Sequence, residues 1–173
     1  MNCDYLGFIF YELFHWRGRE LKRPLDQVSF TRLELMKLLF FVSTIRVDDN
    51  DLLDCFSDFY AMPLGPVEIP SYNRLINNDI HCCVSETINV HLVSNAESIR
   101  WTRDAVTNRI ERSISQLELV NPKLILYPAY KLVEISHVWR CWKVANEIAN
   151  VLGKTSIKMS VDSIRSSNHY FGV

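Results

Sequence analysis

Apolar side chains at Leu6, Ile9, Phe10, Leu13 and Phe14 recur at i, i+3, i+4, i+7, i+8, which places them on one face of a helix over residues 5–17. Gly18 and Pro24 are expected to close it, since glycine relieves a terminal backbone and proline cannot sit inside a helix. A second helix starts at Thr31, where Thr31-Arg32-Leu33-Glu34 has the T-x-x-E form of a capping box. Leu35, Leu38, Leu39, Val42 and Ile45 then share a face, and Leu38–Val42 is apolar nearly all round. That predicts a helix at the centre of the core. The cluster Val47-Asp48-Asp49-Asn50-Asp51 stops it, with Asp49 or Asp51 capping the next element.

Leu52–Phe56 reads as a helical turn and Asp58–Met62 as a short aromatic strand. Pro63-Leu64-Gly65-Pro66-Val67-Glu68-Ile69-Pro70 is expected to be a stiff turn rather than a regular element, because three prolines fix φ and remove donors. A helix begins at Pro70–Ile76, and alternation at Ile88, Val90 and Leu92 predicts a second strand. Ile99, Val106, Ile110, Ile114 and Leu117 suggest one helix over 96–119, capped by Ser94-Asn95. Asn121-Pro122 looks like a helix start, and Tyr127-Pro128 opens a run through Leu132, Ile135 and Trp139 toward Trp142. A helix over 143–152 stopping at Gly153 and a short one from Ser160 complete the pattern. The expected fold is mainly α (α+β): one domain over 1–173, a compact bundle of about six helices with a small strand or hairpin element.

The composition narrows the function. The 173 residues include 19 basic and 20 acidic side chains, a net charge of −1, which disfavours a nucleic-acid partner and a polybasic membrane protein. Cys3, Cys55, Cys82, Cys83 and Cys141 are odd in number and lack framework spacing, so a reducing cytoplasm is expected. Leu6–Tyr11 lacks preceding basic residues and is too short to span a bilayer. The run Arg17–Pro24, half of it basic, reads as a solvated loop or as an anion or acidic-partner contact.

Catalytic signatures are scarce. There is no Gly-rich phosphate loop, G-x-S-x-G, H-E-x-x-H or C-x-x-C. The Asp48–Asp51 cluster lacks the glycine and distal glutamate of a calcium loop. His81, Cys82, Cys83 and His91 are metal-ligand types without paired spacing. No metal and no cofactor is expected. His137, between Ser136 and Val138, reads as a histidine held by a hydrogen bond in the core or at an interface. The alternative is a hydrolase or metal-dependent enzyme using His137 or the 81–91 cluster.

Several segments, in order, resemble one family. Leu35-Met36-Lys37-Leu38-Leu39-Phe40-Phe41 resembles the K-L-L-Y-F helix that opens the Panacea domain, the SocA-like antitoxin family of bacterial chromosomes and prophages. Phe59–Val67, containing Gly65-Pro66-Val67, is similar to that family's strand and G-P-V turn, and Tyr72 falls where the next helix carries an aromatic. Leu132-Val133-Glu134-Ile135-Ser136-His137, followed by Trp142, is similar to the late L-x-x-x-[ST]-H…W segment, and Met159–Ile164 fits the ending. The resemblance spans roughly 30–165; residues 77–120 match none of its motifs.

The resemblance implies a non-enzymatic, cytoplasmic antitoxin that neutralises a toxin encoded beside it. In an adaptor member a protease is the second partner. Lys37, Leu38, Leu39, Phe40, His137 and Trp142 are the structural residues of its motifs. Tight inhibition needs desolvated apolar anchors, and those expected around the proline-rich turn are Tyr60, Met62, Leu64, Gly65, Pro66, Val67, Ile69 and Tyr72.

Overall fold

A computed structural model describes residues 4–172, so Cys3 lies outside the described residues. In chain order the elements are α1 (Tyr5–Leu21), β1 (Ser29–Thr31), α2 (Arg32–Thr44), β2 (Phe59–Met62), β3 (Gly65–Glu68), α3 (Ile69–Ile76), β4 (Cys83–Glu86), β5 (Asn89–Leu92), α4 (Ala105–Val120), α5 (Ala129–His137), α6 (Arg140–Val151), β6 (Ile157–Lys158) and α7 (Val161–Arg165). The mainly α, α+β class is the one observed. The strands form two antiparallel three-stranded sheets, ordered β1-β5-β4 and β3-β2-β6.

The central position of α2 stems from its all-round apolar surface. Every residue from Glu34 to Thr44 is buried, and the capping box forms: Thr31 Oγ1 accepts from the Glu34 N–H while Glu34 accepts from the Thr31 N–H. Phe40 packs edge-on against Phe59 of β2 and Trp139 before α6, joining one sheet to the helical layer.

Four boundaries differ from the sequence expectation. α1 does not stop at Gly18, which is buried within the helix. The turn falls at Lys22 (φ +52°), with the Arg23 N–H returning to the Gly18 carbonyl at 3.1 Å. The 96–119 helix begins only at Ala105, because Asp104 is the stronger cap. It accepts from the Val106 and Thr107 N–H groups, and Tyr5 Oη donates to it at 2.9 Å. Trp101, in the segment before it, lies against Phe8 and Tyr11, which explains why α1 buries more than one stripe. Asn121-Pro122 leads into a single 3₁₀ turn, Leu124–Leu126, and α6 starts at Arg140, so Trp142 lies inside it.

Residues 77–95 supply most of the β1-β5-β4 sheet. β4, whose pattern gave no strand signal, pairs with β5 in the register Ser85↔Val90. Its outer edge is met by Asn78, whose side chain accepts from the Ser85 N–H at 2.6 Å. Asp51 caps as expected, accepting from the Leu53 N–H.

Candidate functional site

The proline-rich stretch is not an irregular turn. Gly65–Glu68 is an edge strand of the β3-β2-β6 sheet, paired with β2 in the register Tyr60↔Val67 and Met62↔Gly65. An edge strand tolerates Pro66, which has no N–H to contribute to a second neighbour. Phe59, Ala61, Pro66 and Glu68 are buried, while the directly opposed Tyr60 and Val67, with Met62, form the half-buried outer face. Leu64, at the hairpin tip, is 55% exposed. Ile69 and Tyr72 belong to α3 and are half-buried.

Two helices hold this hairpin by its carbonyl oxygens. Lys37 Nζ, from α2, donates to Pro66 O at 2.6 Å. Trp142 Nε1, from α6, donates to Met62 O at 2.9 Å. The His137 ring at the end of α5 lies against the Pro63 carbonyl. His137 in turn stacks on Trp142 with ring centroids 3.7 Å apart and planes inclined by 7°. Each of the two bonds satisfies a carbonyl near the turn, and a bond of this kind contributes about 1 kcal/mol net, more where the donor is an ammonium.

Gly65 is required by geometry. Its φ of +95° is a conformation L-residues avoid, and a Cβ there would collide with Ser136 Oγ and lie 3.0 Å from Lys37 Cε. Ser136 is wholly buried and donates to Val133 O at 2.8 Å. It was not among the expected site residues; its position beside His137 in the late motif is the one sequence signal it carries.

The electrostatics reflect burial. Lys37 is completely enclosed, which pulls its pKa down to about 7 because a desolvated ammonium is disfavoured. Burial and then the Lys37 charge lower His137, against the opposing pull of the Pro63 carbonyl. Lys37 and Ser136, the groups that could act as base and nucleophile, have no solvent exposure and bond to backbone carbonyls. The arrangement positions backbone.

Thus Lys37, Gly65, Pro66, His137 and Trp142, separate in sequence, meet at one place. Leu38, Leu39 and Phe40 are core. The 81–91 cluster does not converge: Cys82 and Cys83 are buried, with Cys82 Sγ donating to Gly7 O at 3.2 Å, while His81 and His91 are exposed. Among the described residues no three His, Cys, Asp or Glu side chains are grouped to hold a metal. The cations of the 17–24 run are partly engaged: Arg17 pairs with Glu34 and lies over Phe30, and Arg19 pairs with Glu118. Among the described residues no helix is long and apolar enough to cross a membrane.

No family model, curated protein or solved structure matches the chain.

Proposed function

We propose that this chain is a cytoplasmic protein-binding module of the antitoxin type, similar to the Panacea-domain family, whose contact surface is the β2–β3 hairpin. The observation that carries this is the double clamp. An exposed apolar tip, Leu64, is carried on a hairpin whose Met62 and Pro66 carbonyls are held by side chains from two helices. A surface ordered before binding loses less conformational entropy on association, which favours a tight inhibitory contact. Tyr60, Met62 and Val67 extend the apolar ground from the tip along the outer face.

The partner is a toxin encoded by the adjacent gene, with a protease as a further partner if the chain acts as an adaptor. Co-expression with the neighbouring gene tests this: the two products co-purify and growth arrest is relieved. Leu64→Asp, at an exposed position, reduces both without unfolding the chain. A chain that neither binds the neighbouring product nor relieves arrest overturns the proposal.

A further inference from the structure

A second apolar surface lies apart from the hairpin tip. The inward face of α6 is Cys141, Trp142, Ala145 and Ala149. Val144, Ile148 and Val151, at i, i+4, i+7, form an adjoining stripe that stays substantially exposed. Exposed apolar side chains are ordinary when scattered; a continuous helical stripe beside a groove marks a contact surface. Here the groove is present. Between α6 and the β6–α7 segment lies an open cleft of about 460 Å³, with Val144, Ile148, Ile157 and Met159 as its apolar lining.

The charged and polar lining selects the occupant. Arg140 and Lys158 line the cleft and no acidic residue does; Ser160, Ser163 and Ser166 supply hydroxyls. Lys158 pairs with Asp58, whereas Arg140 makes no ion pair among the described residues. A second copy of the chain fits poorly, because facing two such clefts brings Arg140 toward Arg140 with no acidic residue in either lining. From this lining we infer that the α6–β6–α7 groove binds a short apolar segment of a partner protein bearing an acidic side chain. Its apolar residues seat against Val144, Ile148 and Ile157, and its carboxylate meets Arg140.

This goes beyond the hairpin proposal and is tested without the neighbouring-gene product. A displayed library of helix-length peptides is selected on the purified full chain. The expected winners combine apolar residues at helical spacing with flanking Asp or Glu, and bind Leu64→Asp protein as well as wild type. Ile148→Glu, a change at an exposed position, weakens them by roughly tenfold or more. Arg140→Glu, used as bait in a parallel selection, shifts the enriched charge from acidic to basic. Circular dichroism confirms that both variants remain folded. Winners without acidic residues, winners indifferent to Ile148→Glu and Arg140→Glu, or no enrichment over the Ile148→Glu background each overturn the inference. So does a self-associated chain that Ile148→Glu makes monomeric, since the groove is then filled by a second copy.

Discussion

Lys37 Nζ lies 2.6 Å from the carbonyl oxygen of Pro66, 29 residues later in the chain, and both side chains are buried. A lysine enclosed in this way is an unusual tie, because the ammonium loses its hydration and one carbonyl restores only part of it. The consequence is measurable. Its folded pKa of about 7 lies below the ordinary value of 10.5, so between these pH values the unfolded chain binds more protons than the folded one. Folding stability from this group therefore rises with pH across that window, by up to about 1.4 kcal/mol per pH unit. Urea melts from pH 7 to 10 check this. Lys37→Met, which keeps the volume and cannot titrate, flattens the rise relative to wild type.

Gly65→Ala is expected to destabilise by about 2 kcal/mol or more, from backbone strain at positive φ together with the Ser136 collision. The two causes separate in a double variant. Adding Ser136→Ala relieves the collision and leaves the strain, so chemical denaturation recovers part of the loss. Full recovery would show that φ contributes nothing.

Trp142→Phe keeps an aromatic ring for His137 to stack on and removes the donor to Met62 O. The expected loss is about 1 kcal/mol, the net worth of one hydrogen bond to a part-buried carbonyl. Hydrogen exchange locates it: amides of β2 and β3 lose protection more than those of the β1-β5-β4 sheet. Uniform loss would mean that Trp142 acts through the whole core rather than through the hairpin.

Asp51 ties the loop after α2 to the C-terminal helix, accepting from Arg165 Nε and Nη2 at 2.8 and 2.9 Å. Burial alone would raise its pKa, but the Arg165 guanidinium and the Leu53 N–H overcome that and hold it below the usual aspartate range. The stabilisation is present above the unfolded pKa and disappears as pH falls through the lower folded one. Asp51→Asn is therefore expected to melt earlier than wild type at pH 7. The gap closes on acidification below the ordinary aspartate range, as read by thermal melts at a series of pH values.

Local chemistry explains which elements are readable from sequence. The Thr31/Glu34 box, the apolar run of α2, the Ser160 cap of α7 and the strand at Phe59–Met62 depend on neighbours a few residues apart, and all four form. β4 lacks a strand signal because Cys83-Val84-Ser85-Glu86 holds one β-branched residue and turns Cys83 and Ser85 inward, so pairing with β5 and Asn78 orders it rather than its own side chains. The 63–70 stretch reads as irregular for a related reason. Its prolines forbid a central strand, and its place at a sheet edge, where one neighbour suffices, is a property of the assembled sheet.

The candidate site divides the same way. Composition and periodicity identify a mainly helical chain with α2 at its centre, and the motifs mark Lys37, Gly65, His137 and Trp142 as residues of note without saying that they meet. Packing brings them together. Burying a lysine, stacking an imidazole on an indole and threading a glycine past Ser136 are compatible only when α2, α5 and α6 converge on one hairpin. Such convergence depends on separations of 29 and 80 residues, where local preference has no influence and close packing has all of it.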